Sequence, residues 1–496
     1  MKKLPKILST LYNLGIKKLE DPLIRGKLKN QIHCLENSES GIIFLKDSIS
    51  IFTCPKPLKN SLVYFLHGGP RSQACLKYGV LEADLENLLQ FLLQRLDSKS
   101  EQSEEPSQER ILDRIVLNIS NSCNLSCKYC YAGGGTYGGV QSYMDEKTAL
   151  ATIDRFLNLF DGIDKLQFFG GEPLLNPKLI SFICEEFTQR RKKGEIRKLP
   201  QFSVVTNGTI VSEEVFKLLK KYNMKPTISM DGPKIVNDYL RGKGTTQKIE
   251  QFIRCLEKYN IGYSFECTFT GYHIKSGIYL NDLLDYFFEN FKQNEVHIPP
   301  VALTRENSLF LSEERASKLY REGVEYSMEN LKNGKSACLS FASRIMDVFV
   351  KGEPIKNYCP AGLYTLSVDT EGYLYPCFMF TGLKDFQLGN VFNEYFLQKD
   401  VVNKIFKRIL MNDKANDPEC LKCWASPFCS GCIGAEYFTN NGTFSKTSCD
   451  LTKAMVEGFL TKTPDLVSTL PQEESVDETG TVKECMKHIK SKTPRL

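Results

Sequence analysis

Three cysteines lie close together in one short stretch of the chain, at Cys123, Cys127 and Cys130. Gaps of three and two residues close a tight loop that can aim three thiolates at one point. A [4Fe–4S] cluster has four irons and is usually held by four cysteines. Three nearby thiolates would leave one iron without a protein ligand and free to bind a small molecule.

A structural zinc site and a group of core cysteines are the alternatives for this loop. Buried free cysteine is common. Zinc sites, however, favour paired cysteine spacings with a fourth Cys or His nearby. No other Cys or His lies within about forty residues of the loop, and this isolation favours the cluster.

The cysteine spacing, with Tyr129 before the last cysteine, resembles the signature of the radical S-adenosylmethionine (SAM) superfamily. The resemblance implies that the open iron chelates the amino and carboxylate groups of SAM. It also implies that reduction cleaves SAM to a 5′-deoxyadenosyl radical, and it places Tyr129 among the residues around the cofactor.

The composition is that of an ordinary globular protein. The chain has 496 residues, enough for about three domains, and a formal charge of +5, which gives no nucleic-acid signal. No apolar run approaches the ~20 residues of a membrane span, and the basic first thirty residues lack the apolar core of a secretory signal. We therefore expect a cytoplasmic protein without a nucleic-acid or membrane partner. In a reducing cytosol its 18 cysteines are metal ligands or catalytic thiols more often than disulfides.

Residues 111–300 alternate between strand-like and helix-like segments, which predicts an α/β domain with a parallel sheet and a site at the strand C-termini. The resemblance implies the partial (β/α)6 barrel of radical SAM domains. The predicted strands are 115–119, 165–169, 202–206, 226–229, 263–270 and 295–298, and the predicted helices are 145–160, 177–190, 213–222, 247–259 and 281–291.

Three of these strands end in glycine or polar residues. Glycines let the backbone approach a ligand closely, and a carboxylate suits a cationic sulfonium and ammonium. The first of these ends resembles the "GGE" motif of the family, and the resemblance implies SAM contacts at all three. The predicted cofactor-binding residues are Gly170, Gly171 and Glu172, then Thr206 and Asn207, then Ser229 and Asp231. The role of Glu266, on the fifth strand, stays open.

The remaining segments flank this domain. Residues 1–96 predict a small α+β module, with a hairpin over 41–46 and 49–53, a strand over 62–66 and a helix over 81–93. Such modules in peptide-modifying radical SAM enzymes bind a leader peptide by strand addition. By this resemblance the module is similar to a precursor-peptide recognition element (RRE-like). A lid or a dimerisation element is the alternative. We predict a polar linker over 97–110, a helical bridge over 301–355, and a tail over 456–496 that is mobile from about 463.

Residues 356–455 contain seven cysteines, for which a double zinc ribbon is one interpretation. Their order and gaps resemble the SPASM extension, which binds two auxiliary [4Fe–4S] clusters, although two residues separate Cys429 and Cys432 where three are usual. The resemblance implies an outer cluster on Cys420, Cys423, Cys429 and Cys449 and an inner cluster on Cys359, Cys377 and Cys432. Full ligation of two such clusters takes eight thiolates. Either Cys338 supplies the eighth, or the inner cluster keeps an open iron that could hold a substrate thiolate.

The span from about 111 to 455 resembles radical SAM/SPASM peptide maturases. It is most similar to the thioether-forming enzymes that modify six-cysteine peptides (SCIFF) and ranthipeptides. The resemblance implies three [4Fe–4S] clusters, SAM, an electron donor such as flavodoxin or ferredoxin, and a thioether crosslink in a ribosomally made, Cys-containing precursor peptide. A formylglycine-generating sulfatase maturase is the main rival, but it carries an Asp where this chain has Phe378. Another crosslinker or an epimerase, and a non-enzymatic zinc scaffold, also stay open. No general base can be named.

Overall fold

The computed structural model describes residues 21–97, 110–393, 396–397, 403, 405, 414–445 and 448–468. Within these ranges no helix is both long and apolar enough to span a membrane. The predicted linker, the start of the N-terminal segment and the part of the tail after 468 lie outside the described residues.

An antiparallel sheet with strand order β1-β2-β3 and a set of helices form the N-terminal module. The predicted hairpin is confirmed, and its strands run over Gly41–Leu45 and Ser50–Cys54. The strand predicted over 62–66 is wrong, because Leu62, Phe65 and Leu66 face the module core at helical spacing. The elements are α1 (Pro22–Gln31), β1 (Ile32–Glu36), β2 (Gly41–Leu45), β3 (Ser50–Cys54), α2 (Lys56–Leu66), α3 (Arg71–Tyr78) and α4 (Glu82–Asp97).

The small sheet is buried on both faces. Ile43 and Phe52 pack with α2 and α4 in the module's own core. Phe44 and Ile51 point the other way and join the main core of the chain. The alternation of side chains along a strand produces these two faces, and the module is therefore docked on the rest of the protein through its sheet.

Residues 111–300 form a parallel sheet flanked by helices, as expected. All six predicted strands are present, and the cysteine loop follows the first of them. The elements are β4 (Ile111–Ser120), α5 (Glu146–Leu159), β5 (Gly162–Gly170), α6 (Pro177–Lys192), β6 (Gln201–Thr206), α7 (Glu213–Lys221), β7 (Lys225–Ser229), α8 (Lys234–Arg241), α9 (Thr245–Lys258), β8 (Ser264–Glu266), α10 (Gly271–Lys275), α11 (Leu280–Phe291) and β9 (Glu295–Val296).

The main sheet extends beyond the barrel. Its order is β13-β12-β11-β4-β5-β6-β7-β8, and β11 pairs in parallel with β4 through Thr365–Val368. The sixth strand, β9, pairs with β10, and an isolated bridge joins Glu266 to His297. The later elements are α12 (Glu313–Lys332), β10 (Cys338–Leu339), α13 (Ser340–Lys351), β11 (Thr365–Val368), β12 (Tyr373–Tyr375), β13 (Gly389–Asn390), α14 (Pro418–Lys422), α15 (Ile433–Thr439) and α16 (Ser448–Ser468).

Helix α16 corrects the predicted start of the mobile tail. Residues 463–468 continue this helix, and within them Leu466 is buried. Leu466 belongs to the main core together with Val456, Phe459 and Leu460 of the same helix, so apolar burial holds the start of the segment that was predicted to be mobile.

Candidate functional site

The cysteine loop and the glycine turn after β5 are packed directly against each other. The backbone N–H groups of Gly171 and Glu172 donate to the carbonyl oxygens of Ser120 (2.7 Å) and Ser122 (2.8 Å). A Cβ atom on Gly171 would clash with the Ser122 carbonyl. Only glycine permits this approach, which explains why two glycines stand beside the three-cysteine loop.

The three thiols of the loop lie near one another at the mouth of the barrel. Burial is the main cause that raises the pKa of Cys127, to about 11, and the neighbouring Cys130 and Cys123 raise it further. Arg241 acts in the opposite direction. The Cys123 sulfur also accepts from the Leu125 N–H at 3.4 Å, so part of its future negative charge is already met by the loop itself.

Glu172 is fully buried and engaged on both carboxylate oxygens. It accepts hydrogen bonds from Leu174 N–H (2.9 Å), Thr206 Oγ1–H (2.8 Å) and Asn207 N–H (2.7 Å). Burial raises its pKa to about 7, and the three donors oppose that rise. Its contact with SAM stays a prediction; its contacts within the chain join the glycine turn to the end of β6.

Asn207 links the end of β6 to the cysteine loop. Its Nδ2 donates to Asn124 Oδ1 at 2.8 Å and lies 3.8 Å from the Cys123 sulfur. Its Oδ1 accepts from the Thr209 hydroxyl at 2.6 Å. The predicted SAM contacts Thr206 and Asn207 therefore sit beside the first cysteine, although their binding of SAM is untested.

Asp231 forms a buried ion pair with Arg241, which the sequence analysis missed. The carboxylate accepts from Nε and Nη2 of Arg241, both at 2.9 Å, from the Tyr129 hydroxyl at 2.7 Å and from the Thr268 N–H at 3.0 Å. The guanidinium also lies 5.5 Å from the centre of the Tyr129 ring. The hydrogen bond from its hydroxyl and the guanidinium over one face of its ring thus hold Tyr129 in place next to Cys130. The sequence alone did not indicate a buried ion pair for Arg241, because an arginine at a helix end is usually solvated.

Ser229 and the neighbouring strand ends carry polar groups into the barrel opening. Ser229 pairs in register with Glu266, which is bridged to His297. The His297 Nδ1 lies 2.8 Å from the Ser340 hydroxyl, and burial lowers the pKa of its ring. These side chains lie at strand ends, as do the polar residues next to the three-cysteine loop.

The structure groups the cysteines of the C-terminal region in two. In the outer group the Cys429 thiol is close enough to three other thiols that each raises its pKa, after the larger effect of burial; the three are Cys449, Cys423 and Cys420. In the inner group Cys432 is close to Cys359 and Cys377 in the same way. These groups have the membership that the sequence predicts. That they bind iron stays a prediction.

Cys338 does not join the inner group. Its sulfur is hydrogen-bonded to the Asn294 carbonyl (3.4 Å) and to the Ser343 hydroxyl (3.2 Å). Of the two options that the sequence left open, this placement favours an inner site with three cysteines. Nowhere in the described ranges do three Cys, His, Asp or Glu side chains come together closely enough for a single metal ion.

Tyr131 lies between the first cysteine loop and the inner group. Its ring packs against Tyr137 and Phe438, with centroids 6.2 and 5.6 Å away. Burial raises the pKa of its hydroxyl, and Cys377 and Cys130 both add to this effect. Tyr131 therefore lies near one cysteine of each site, Cys130 and Cys377.

Comparison with known proteins identifies the region around the first cysteine loop. The family model "Radical SAM superfamily" matches residues 117–286. An uncharacterized protein of Methanocaldococcus jannaschii is 36% identical over 174 residues, which are 34% of this chain and 56% of the relative. This chain therefore matches little more than half of that relative's length.

Two relatives match over a longer span. A cysteine-type anaerobic sulfatase-maturating enzyme of Clostridium perfringens is 26% identical and covers 63% of this chain and 86% of its own. The radical SAM cyclopropyl synthase TigE of Paramaledivibacter caminithermalis is 24% identical and covers 69% and 73%. The solved structure "Native anSMEcpe with bound AdoMet and Kp18Cys peptide" shares the fold, with a TM-score of 0.58, 21% identity and coverage of 72% of this chain and 98% of the other.

The matched family implies one [4Fe–4S] cluster and SAM, and the residues fit both. The thiols of Cys130 and Cys123 are close enough to the Cys127 thiol to raise its pKa, and Cys123 already accepts an N–H···S bond. The glycine turn and the polar ends of β6 and β7 surround the same place. Cys123, Cys127 and Cys130 would hold the cluster.

Proposed function

We propose that this chain, which carries a radical SAM domain and has relatives among sulfatase-maturing and peptide-modifying radical SAM enzymes, is a peptide maturase. It joins a Cys sulfur to a carbon of a ribosomally made precursor peptide as a thioether. The 5′-deoxyadenosyl radical would take the hydrogen atom from that carbon, the thiol would lose its proton, and an auxiliary cluster held by the C-terminal cysteines would accept the remaining electron. When bound, the cluster and SAM supply a 5′-deoxyadenosyl radical, with the electron coming from a donor such as flavodoxin or ferredoxin. The observation that carries the proposal is the second thiol group, Cys359, Cys377 and Cys432, of which Cys377 lies near Tyr131 beside the first cysteine loop.

The chain's own residues orient the reactants and limit access of water. Tyr129 is immobilised by Asp231 and Arg241. Asn207 holds the start of the cysteine loop through Asn124. A preorganised surround of this kind keeps a reactive intermediate in one geometry and excludes side reactions.

The inner group suits a peptide thiolate. With Cys338 held by Asn294 and Ser343, three cysteines would leave a cluster corner for the thiolate of the substrate. The outer group has four cysteines and so needs no ligand from outside. We infer two auxiliary clusters with different roles, the inner one contacting substrate.

Formylglycine chemistry is less well supported, although one relative carries that name. The base position of sulfatase maturases corresponds to Phe378, by the resemblance described above. The Phe378 ring packs on Phe169 of β5 with centroids 4.4 Å apart. An apolar pair at this place cannot take up a proton.

The N-terminal module is the proposed binding site for the leader peptide. It contains a three-stranded antiparallel sheet followed by three helices. A cavity of about 570 Å³ opens between the end of β3 and helices α2 and α4, lined by Pro57, Leu58, Val80, Leu88 and Phe91. Because helices and turns line this cavity, it could take side chains of a leader peptide that adds to the edge of the sheet.

Two measurements test the proposal. Anaerobically reconstituted protein is incubated with SAM and dithionite, and the appearance of 5′-deoxyadenosine tests the radical SAM chemistry. If a short Cys-rich reading frame is found beside the gene, a synthetic copy of its peptide is then added and analysed by mass spectrometry. Loss of two hydrogens with a blocked thiol supports a thioether. An aldehyde product on this peptide or on a sulfatase-type Cys peptide would replace the proposal with formylglycine formation.

A further inference from the structure

Lys414 is a buried lysine whose side-chain nitrogen is surrounded by backbone carbonyls. Its Nζ donates to the carbonyl oxygens of Ile355 (2.5 Å), Ser426 (2.7 Å) and Cys429 (2.9 Å). The residue is only 6% exposed. An ammonium group has three N–H donors and no acceptor, so three carbonyls saturate it, whereas a neutral amine would have one donor too few.

The carbonyls come from segments far apart in the chain. Ile355 precedes the inner Cys359, while Ser426 and Cys429 belong to the loop of the outer group. A backbone bond from Ile355 N–H to the Pro427 carbonyl (2.8 Å) runs alongside. Lys414 therefore ties the approach to the inner group to the loop that shapes the outer one.

The same nitrogen lies close to the outer thiols. Its hydrogen bond to the Cys429 carbonyl (2.9 Å) places it beside a residue that carries one of these thiols. A buried lysine loses hydration that the protein must replace. Here three carbonyl dipoles and the neighbouring sulfurs replace it, and this combination keeps a positive charge beside a site that would carry negative charge.

We propose that Lys414 is a positioning residue for the outer iron–sulfur site: its ammonium holds the Cys429 loop in a ligating shape and places a fixed cation next to the bound cluster. The inference rests on the outer cluster of the proposed function. A nearby cation in a low-dielectric interior stabilises the reduced, more negative form of a cluster. Lys414 therefore raises the reduction potential of the outer cluster.

The test uses full-length, anaerobically reconstituted protein and four variants. Lys414→Met removes the donor and the charge, Lys414→Gln keeps N–H donors without the charge, and Lys414→Arg keeps the charge. Lys192→Met, at an exposed position of α6 and outside the outer cysteine group, is the matched control. Iron per chain and an EPR-monitored redox titration are measured without any peptide.

The expected result is that Lys414→Gln lowers the potential of one cluster signal, and that Lys414→Met also loses about four irons per chain. Lys414→Arg and Lys192→Met keep the wild-type iron content and potential. Unchanged potentials and iron content in both neutral variants would overturn the role of Lys414. The irons on Cys123, Cys127 and Cys130 serve as an internal control for folding. Wild-type protein with only about four irons would instead refute the auxiliary clusters themselves, which is a separate failure.

Discussion

His33 and Trp424 stack face to face, with ring centroids 3.6 Å apart and planes only 3° from parallel. His33 lies on β1 of the N-terminal module, and Trp424 directly follows Cys423 of the outer cysteine group. The His33 Nε2 also lies 3.5 Å from Glu457 on α16. The module that we propose to bind the leader peptide is thus in contact with the loop that we propose to bind a cluster.

The first prediction concerns this contact. His33→Ala removes the stack and exposes the Trp424 ring, so tryptophan emission should shift to longer wavelength. Trp424 is the only tryptophan of the chain, and the signal has no other source. The variant should lose about 0.5–1.5 kcal/mol of the free energy that holds the N-terminal module on the rest of the protein. Faster hydrogen exchange in β1–β3 would show this loss. His67→Ala, at an exposed position after α2, is the control; emission unchanged in His33→Ala would contradict the stacking.

The second prediction concerns the SAM-type loop. Cys127→Ser should lower bound iron by about four per chain and abolish 5′-deoxyadenosine formation, because the loop then offers two thiolates to a cluster that needs three. Cys184→Ser changes a buried core cysteine of α6 and should keep iron and SAM cleavage. Iron analysis and chromatography of the nucleoside measure both effects. Retained cleavage in Cys127→Ser would refute the assignment of the loop.

The third prediction concerns the hydrogen bonds by which Glu172 connects the glycine turn to the end of β6. Glu172→Gln replaces an acceptor oxygen by an NH2 group, which then faces the N–H of Asn207 or the donors of Leu174 and Thr206. One buried donor left unpaired costs about 1–3 kcal/mol of unfolding free energy. Urea unfolding at pH 5 measures this cost, because at higher pH the deprotonation of Glu172 lowers the stability of wild type and masks it. The exposed Glu213→Gln should stay within about 0.5 kcal/mol of wild type, and equal stability of the two variants would contradict the buried network.

The fourth prediction follows from the pKa of Glu172, which burial raises from 4.5 to about 7. Folded protein holds this proton more tightly than unfolded protein does, so stability is full below pH 4.5 and falls as the pH rises towards 7. The fall is on the order of 3 kcal/mol and then levels off. Comparing wild type with Glu172→Gln from pH 4.5 to 8 isolates the contribution, because glutamine does not titrate. A difference that grows in the opposite direction would contradict the raised pKa.

Much of the fold follows from local sequence pattern. The six strands of the barrel region are short apolar runs next to turn residues, and the structure contains all of them. The cysteine spacing and the glycines after β5 are also local, so the first site could be located from the sequence. The helix at 56–66 was misread as a strand, since a five-residue apolar run has no clear period.

The rest depends on contacts between distant segments. Strand β11 joins the sheet beside β4 across about 250 residues, and no local pattern encodes that pairing. Trp424 stacks on His33 and Lys414 binds the Ile355 carbonyl, and both partners lie far away in the chain. Arg241 is near Asp231 in the sequence, but Tyr129, which the pair supports, belongs to the distant cysteine loop. The ligation of iron by the outer and inner cysteines, and the SAM contacts, stay predictions.

The last prediction concerns the buried pair of Asp231 and Arg241 that supports Tyr129. Asp231→Asn leaves the Arg241 guanidinium, only 7% exposed, without a counter-charge, and breaking one side of a buried pair costs about 3–5 kcal/mol. Asp164→Asn removes a surface ion pair with Lys198 and should cost at most about 1 kcal/mol.

Replacing both partners tests whether the cost comes from the unpaired charge. Asp231→Asn combined with Arg241→Met should recover part of the lost stability, because no buried charge then remains uncompensated. Tyr129→Phe removes one hydrogen bond of 2.7 Å and should cost about 1.5–3 kcal/mol, since its acceptor is charged. Urea unfolding of the set gives the coupling energies. Additive losses in the double variant would mean that Asp231 and Arg241 act independently, and Tyr129 would then be held by packing rather than by the ion pair.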